Sequence, residues 1–280
     1  MPFKDILVYV DNTAQCPARL EVAANLAVEH GAHLVGLFVH PRTNVPGFVM
    51  AQYGSQIAQF QEEFAREAHD KSKTAFENQC RLSGVSFEWR EAHGDLVEAV
   101  SLHGRYADLL ITGQIDPESD DQAARNNLTD HLLLEVGRPV LVVPYAGRFP
   151  VIGKNILVAW NGSREATRAV NDALPLLTRA TQVNVLAVNP KPGKGARGHG
   201  EVPGADICLH LARHDVPAVC HHIGGEDMDV GDMLLSRAAE EGADMMVMGA
   251  YGRTRLTELV LGGATRHIMQ HMTVPVLFSH

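Results

Sequence analysis

The stretch DILVYVDN at residues 5–12 decides the fold, because it returns without a gap as NILVAWNG at residues 155–162. Each copy is a short apolar run that ends in a turn-forming Asp or Asn, which is typical of a buried strand leading into a loop. The chain is therefore predicted to be a tandem duplication of a unit of about 140 residues. Two further segments recur in the same order: ADLLITG at 107–113 with ADMMVMG at 243–249, and RPVLV at 138–142 with TVPVL at 273–277.

Within each unit, short apolar strands alternate with amphipathic helices. Strands that are apolar on both faces and alternate with helices favour a parallel sheet covered by helices on both sides. We predict a fold of class α/β with two tandem domains, residues 1–147 and 148–280, each a doubly wound open parallel sheet of five strands. Ligands of such sheets lie beyond the carboxyl ends of the strands, where the loops after the first and fourth strands meet.

The composition excludes several classes of protein. A chain of 280 residues with 45% hydrophobic residues is large enough for a core in each of two domains. No run approaches the roughly 18–20 apolar residues of a membrane span, so no membrane partner is expected. The four cysteines form no C-x-x-C pair, which favours a reducing compartment, and we expect a cytoplasmic protein.

Charge is divided unevenly between the units. Residues 1–147 hold 11 Lys and Arg against 20 Asp and Glu, whereas residues 148–280 hold 13 of each kind. Neither half shows a basic face with interleaved aromatic residues, so no nucleic-acid partner is expected. A small phosphorylated ligand is therefore predicted to bind the second half rather than the first.

Two glycine clusters in the second unit indicate an anion site. VMGAYGRTR at residues 247–255 and GGATRH at residues 262–267 follow the fourth apolar run and lead into a helix. Glycine lets backbone N–H groups face a ligand, and the helix adds its positive end. A phosphate group fits these features.

The spacing Gly249-x2-Gly252, nine residues, then Gly262-Gly263 resembles the nucleotide loop of the universal stress protein family, and the two units resemble the tandem type of that family. The family fold is similar to that of the adenine-nucleotide alpha-hydrolases. The resemblance covers nearly the whole chain and implies that ATP, or another adenine nucleotide, binds the second half. It implies that adenine and ribose lie against Asn161, Gly162, Val188, Met248 and Gly249, and that the phosphates lie among Gly252, Arg253, Gly262, Gly263, Ala264 and Thr265.

The second unit departs from the family pattern at two positions. Gly263 stands where Ser or Thr is usual, which removes a hydroxyl contact worth about 0.5–1.5 kcal/mol but keeps the backbone N–H. Asn161 stands where Asp is frequent, and it offers a carbonyl acceptor together with an amide donor. Both residues can still contact a nucleotide.

The first unit has lost the glycine loop. Its counterpart of Gly252-Arg253-Thr254-Arg255 is Asp116-Pro117-Glu118-Ser119, and Asn126-Asn127 replaces Gly262-Gly263. Pro117 has no N–H to donate, and two carboxylates repel a triphosphate. We expect the first half not to bind ATP, although it keeps the family's acid as Asp11.

Each of these features also has a structural interpretation. The glycines can serve only as turn formers, and residues 161–163 can be only a turn with a helix cap. The basic segment 191–200 is either a flap over the phosphates or a loop; it does not match a P-loop.

A metal site is the main alternative to a nucleotide site. The sequence offers thiol and imidazole groups of the kind that binds zinc, at Cys208, His210, His214 and His221. Cys208 does not share a helix face with the two histidines, and 15 histidines produce such pairs by chance. We therefore expect no bound zinc there and treat the histidines as packed or solvated.

Function follows from the site rather than from a catalytic set. The chain contains no G-x-S-x-G elbow and no H-E-x-x-H helix, so we expect a binding protein with at most slow ATP hydrolysis. The resemblance implies a nucleotide-responsive role in the stress response and an intramolecular pseudo-dimer of the two units. It also implies further self-association as a homodimer and, separately, a protein partner that the sequence does not identify. The alternative is a zinc- or small-ligand-binding scaffold without nucleotide dependence.

Overall fold

The computed structural model describes residues 2–41, 47–118, 128–188, 204–224, 229–250 and 263–280. In the first half, strands and helices alternate along the chain as the sequence predicts. Their bounds are β1 Asp5–Val10, α1 Cys16–His30, β2 His33–Pro41, α2 Gly47–Ser83, β3 Phe87–Gly94, α3 Leu96–Gly104, β4 Leu109–Gly113, α4 Leu128–Glu135 and β5 Val140–Val143.

The second half repeats this order. Its elements have the bounds β6 Asn155–Trp160, α5 Arg164–Leu177, β7 Gln182–Val188, α6 Ala205–Ala212, β8 Ala218–Ile223, α7 Val230–Glu240, β9 Met245–Gly249, α8 Gly263–His271 and β10 Val276–Ser279.

All described strands belong to one sheet with the order β3-β2-β1-β4-β5-β10-β9-β6-β7-β8. Pairing is parallel within each half, and the halves join where β5 and β10 run antiparallel, with Leu141 opposite Leu277. The predicted doubly wound α/β fold is confirmed, and the two units form the pseudo-dimer expected inside one chain. The boundary between residues 147 and 148 stays a prediction.

Helices cover both faces of the sheet because its central strands are apolar on both sides. Every residue of β5 and β10 is buried, as are five of the six residues of β1. One core contains buried residues of α1, α2, α5 and α6, and the other contains residues of α3, α4, α7 and α8. This arrangement leaves the carboxyl ends of the strands available for a site.

The repeated Ala-Asp pair has a structural role in both halves. The carboxylate of Asp108 accepts hydrogen bonds from the backbone N–H groups of Lys4 and Asp5 at 2.7 and 3.1 Å. In the second half, Asp244 accepts from the backbone of Gly153 at 2.7 Å and from the two residues after it. Each Asp thereby fixes the start of the first strand of its unit beside the fourth strand.

The long helix α2 has no counterpart of similar length in the described part of the second half. In the part of α2 whose side chains the structure describes, residues 63–83, the buried apolar residues are Phe76 and Cys80, both fully buried. Gly36 in β2 allows the approach of Phe76, because a Cβ on Gly36 would lie 2.8 Å from the phenyl ring. None of the helices in the described ranges combines the length and the apolar character of a bilayer-spanning segment.

Candidate functional site

Each half has a point where the strand order reverses. In the first half it lies between β1 and β4, and in the second half between β6 and β9. The connections from these neighbouring strands cross opposite faces of the sheet, so a crevice opens beyond their carboxyl ends. The predicted site residues of the second half that lie in described ranges cluster around this point.

The residue after the first strand of each unit makes the same turn. The Asp11 Oδ1 atom accepts a hydrogen bond from the backbone of Thr13 at 3.0 Å, and Asn161 Oδ1 accepts from the backbone of Ser163 at 3.0 Å. Ser163 then caps α5, because its hydroxyl oxygen accepts from the backbone of Ala166 at 3.1 Å. Residues 161–163 therefore form the turn and helix cap of the structural interpretation, and a contact of Asn161 with a ligand would be additional to these hydrogen bonds.

In the first half, a buried ion pair occupies the crevice. Arg19 of α1 reaches Asp11, with 3.0 Å between the Nη2 and Oδ1 atoms, and only 4% of Arg19 and 6% of Asp11 are exposed. The guanidinium lies 5.6 Å from the centre of the Tyr9 ring. Burial alone would lower the pKa of Arg19, but the charges of Asp11 and Cys16 and the hydrogen bonds to both side chains together outweigh it, and the pKa is raised. Arg19 therefore stays charged and neutralises Asp11.

Arg19 also takes up the space beside the fourth strand. A Cβ added to Gly113, the last residue of β4, would collide with the Arg19 Nη1 atom. One side chain thus spans the ends of both strands that flank the switch point. We call this side chain the Arg19 plug. The sequence analysis did not predict it, and the only sequence signal for it is the single Arg within the Ala-rich stretch of α1.

The second half has a different arrangement at the equivalent place. The position that corresponds to Arg19 is Ala169, which is buried, and Asn161 is exposed where Asp11 is buried. The start of α5 packs directly on the end of β9, because a Cβ on Gly249 would lie 2.5 Å from the Ala166 backbone nitrogen. Gly249 therefore has a packing role as well as its predicted role at the site.

Val188 and Met248 lie on the opposite face of the sheet from Ala169. Met248 is buried and pairs with Ala159 across the strands, while Val188 is half-buried at the end of β7. Since Trp160 pairs with Ala187, the register places Val188 opposite Asn161, one step beyond β6. These residues form an apolar wall at the carboxyl ends of three neighbouring strands.

Helix α8 is the second described element of the predicted site. It begins at Gly263, which is exposed, and continues through Ala264 and the buried Thr265. The first N–H groups of a helix have no partner within the helix and attract anions. Its counterpart α4 carries Asp130 in the first turn, where α8 has Arg266.

Comparison with known proteins identifies the family. A sequence model of the universal stress protein family matches residues 2–144 and again residues 153–280. The chain belongs to the universal stress protein family. No curated protein matches the chain.

Among solved structures, this universal stress protein is similar in fold to two others of its length. A universal stress protein from Archaeoglobus fulgidus DSM 4304 has a TM-score of 0.74 at 16% identity, with 98% of this chain and 95% of that chain covered. A putative universal stress protein from Pseudomonas aeruginosa UCBPP-PA14 has a TM-score of 0.61 at 18% identity, with 99% and 93% covered. Both likenesses span both halves.

Several predicted site residues of this universal stress protein lie outside the described residues. They are Gly252, Arg253 and Gly262 of the glycine loop, together with the basic segment 191–200. Their assignment to the phosphates stays a prediction. The described part of the chain brings together Asn161, Gly162, Val188, Met248 and Gly249 at the strand ends, and Gly263, Ala264 and Thr265 at the start of α8.

The residues of the alternative metal site contact different neighbours rather than one another as a set. The thiols of Cys208 in α6 and Cys220 in β8 interact, and burial together with that hydrogen bond raises the pKa of Cys208 to about 12. The rings of His210 and His214 lie 4.8 Å apart. Within the described ranges, Cys208, His210, His214 and His221 do not form a group whose ligand atoms lie within 4.8 Å of one another.

Two other clusters in the described ranges do meet that distance, and sequence reasoning missed both. In one, the His267 Nε2 atom of α8 lies 2.9 Å from Asp232 and its Nδ1 atom lies 3.9 Å from Asp229. This cluster borders the start of α7. The other cluster consists of His40, His69 and Glu91 in the first half.

Proposed function

We propose that this universal stress protein binds an adenine nucleotide, ATP foremost, at the carboxyl ends of β6 and β9, and that it acts as a nucleotide-responsive regulator in the stress response. The proposal assigns one competent site, in residues 148–280. The observation that carries it is the buried Arg19–Asp11 pair, which fills the equivalent crevice of the first half. The second half has Ala169 and an exposed Asn161 at those positions.

Charge at the helix starts supports the same choice of half. An anion at the start of α4 would meet Asp130, whereas an anion at the start of α8 would meet Arg266. The pKa of Asp130 is raised by burial, although the charges of His131 and Arg266 oppose this effect. A phosphate at the start of α4 would add further negative charge beside Asp130.

The contacts to adenine and ribose follow from the strand ends. The ring would lie against the apolar wall of Val188 and Met248, and Asn161 would meet a polar edge of the nucleotide. One lone pair of the Asn161 Oδ1 atom already accepts from Ser163. The amide donor and the second lone pair are the groups that Asn161 would offer to a ligand.

The proposed response is a change of surface rather than turnover. Nucleotide bound by residues 249–265, and by the basic segment 191–200, would alter a surface that a protein partner reads. Hydrolysis is expected to be slow at most. Because β5 and β10 pair with each other, a homodimer would have to use other surfaces, such as the outer edges at β3 and β8.

The test is isothermal titration with ATP on a matched pair of variants. Gly262→Val changes the glycine loop of the second half, and Asn126→Val introduces the same side chain at the equivalent position of the first half. We expect one ATP per chain in wild type and in Asn126→Val, and at least a tenfold loss of affinity in Gly262→Val. The proposal is wrong if both variants retain wild-type affinity, or if only Asn126→Val loses it.

Thermal unfolding separates the nucleotide sensor from the scaffold alternative. A ligand that binds only the native state stabilises it by RT ln(1 + [L]/Kd), which is about 2.7 kcal/mol when the ligand is at 100 times its Kd. ATP should therefore raise the unfolding temperature of wild type but not of Gly262→Val. A scaffold without nucleotide dependence would show no shift in either protein.

A further inference from the structure

Three elements of the first half bring imidazole and carboxylate groups together, away from the switch point. His40 lies near the end of β2, Glu91 lies on the edge strand β3, and His69 lies on α2. The His40 Nε2 atom is 3.2 Å from Glu91 Oε2, and the His69 Nε2 atom is 2.9 Å from Glu91 Oε1. The two imidazoles therefore converge on one carboxylate.

Both ring nitrogens of His69 face carboxylate oxygens. Its Nδ1 atom lies 2.9 Å from Asp70 Oδ1, while its Nε2 atom faces Glu91. A neutral imidazole has one N–H and one lone pair, so it can donate to only one of these two acceptors. The remaining contact requires a cation between the lone pair and the oxygen, or a second proton on the ring.

The hydrogen bond to Asp70 is the arrangement that metal-binding histidines use. Such a histidine donates its other ring N–H to a carboxylate or a carbonyl, which fixes the tautomer and directs the lone pair at the metal. The Nδ1 atom of His69 lies at hydrogen-bonding distance from Asp70, and in the tautomer with its proton on Nδ1 the lone pair of Nε2 points toward Glu91.

An aromatic floor holds the cluster in place. The buried Phe38 packs its ring edge-on against His40 and His69, at centroid distances of 5.0 and 5.4 Å. The Trp89 indole N–H donates to Glu91 Oε1 at 3.0 Å, and His93 stacks on His40 at 4.4 Å.

We propose that His40, His69 and Glu91 form a binding site for a transition-metal ion of the Zn²⁺ class. The ligand atoms are the two Nε2 atoms and the Glu91 carboxylate, all within 4.8 Å of one another. Tetrahedral zinc with bonds of 2.0–2.1 Å separates its ligands by about 3.3 Å, close to the observed 3.2 and 2.9 Å. Two histidines and one glutamate leave a fourth position for water or another ligand.

The identity of the donors favours zinc over magnesium or calcium. Imidazole nitrogen suits Zn²⁺ and its neighbours in the first transition series, whereas Mg²⁺ and Ca²⁺ take oxygen ligands. The ion would join α2 to β2 and β3, which are far apart in sequence. It would thereby fix the long helix on the edge of the sheet.

The experiment uses the untagged full chain after treatment with a chelator, and Co²⁺ as a spectroscopic probe. We expect one Co²⁺ per chain with visible absorption bands of a nitrogen- and oxygen-bound ion, displaced by one equivalent of Zn²⁺. His40→Ala, His69→Ala and Glu91→Gln should each lower the affinity at least tenfold. Asp70→Asn should lower it by roughly 10–100-fold, because it removes the carboxylate that orients His69.

The matched control is the double variant His210→Ala/His214→Ala. It removes two histidines of the second half whose rings contact each other, outside the proposed site. This variant should keep the Co²⁺ spectrum and the stoichiometry of one Co²⁺ per chain. Circular dichroism checks that each variant is folded. If an alanine variant does not fold, the affinity of the nearly isosteric Glu91→Gln variant for Co²⁺ tests the site instead.

Two results would overturn the proposal. One is a wild-type chain that takes up no Co²⁺ or Zn²⁺, which would leave a doubly protonated His69 between Asp70 and Glu91. The other is uptake that survives in Glu91→Gln and His69→Ala but is lost in the His210→Ala/His214→Ala control.

Discussion

Replacement of Arg19 by Met tests the plug in the first half most sharply. The variant keeps much of the side-chain volume beside Tyr9 but removes the charge 3.0 Å from Asp11. Asp11 is 6% exposed, so its carboxylate would be left buried without this partner. Removal of one member of a buried pair costs about 3–5 kcal/mol of unfolding free energy. We expect Arg19→Met to be destabilised by an amount in this range.

The double variant Arg19→Met/Asp11→Asn should recover most of the loss. It resembles the second half, where Asn161 makes the same turn without a basic partner at position 169. An Asn at position 11 can still accept from the backbone of Thr13, as Asp11 does at 3.0 Å. Since a buried ion pair can be replaced by uncharged groups at little cost, we expect the double variant within about 1 kcal/mol of wild type.

The assay is urea unfolding at neutral pH, followed by circular dichroism, for wild type, both single variants and the double variant. The slope of the unfolding free energy with urea should be unchanged, so that midpoints report stability. Arg19→Met that costs less than about 1 kcal/mol, or a double variant no more stable than Arg19→Met, would refute the buried-pair reasoning. The double variant should still bind one ATP, because Asp116 and Pro117 remain in the first half.

Three further predictions concern stability. Burial lowers the pKa of His30 to about 4; the unfolded chain then binds the proton more tightly, so stability is full above about pH 6.5 and falls by about 3 kcal/mol toward pH 4. His30→Gln removes this titration, so its urea midpoint should fall less between about pH 6.5 and pH 4 than the wild-type midpoint does. An equal fall in both proteins would contradict the prediction. Gly36→Ala should cost about 1–3 kcal/mol because its Cβ would lie 2.8 Å from the Phe76 ring, whereas Gly224→Ala, with open space around it, should be nearly neutral; equal midpoints would contradict the close approach. Asp244→Ala leaves three backbone N–H groups at the start of β6 without their acceptor and should cost about 1–3 kcal/mol, with Asp244→Asn in between; a neutral Asp244→Ala in thermal unfolding would show that water replaces the carboxylate.

The sequence predicted the architecture well because the duplication supplied two readings of each element. Strands β1 and β6 start at Asp5 and Asn155, the first residues of the two repeated segments that predict them, and the helix predicted after the second glycine cluster is α8. The edge strand β3, which runs from Phe87 to Gly94, is less clear in the sequence. Polar and apolar residues alternate weakly on this edge strand, so its register depends on pairing with β2 rather than on local pattern.

The long helix α2 was not predicted. Its described buried contacts fall on Ser72, Phe76 and Cys80, a stripe with one residue per turn, and such a narrow stripe gives little periodic signal. The helix is specified mainly by its fit on the sheet, where Gly36 makes room for Phe76.

The site could be predicted only where its chemistry is local in sequence. Glycine spacing and the turn after β6 are local features. The Arg19 plug and the His40–His69–Glu91 cluster are not, because each depends on which side chains the topology brings together. A lone Arg in α1 carries no spacing signal of its own, and neither do two histidines and one glutamate spread over more than fifty positions.

The central claim is that only the second half accepts the nucleotide, and photolabelling tests it most directly. The intact chain would be irradiated with 8-azido-ATP, with and without excess ATP, and the labelled peptides identified by mass spectrometry. We predict label that ATP competes away in peptides from residues 155–189 or 245–280, at no more than one per chain. Competed label in residues 5–40 or 107–144 would contradict the account.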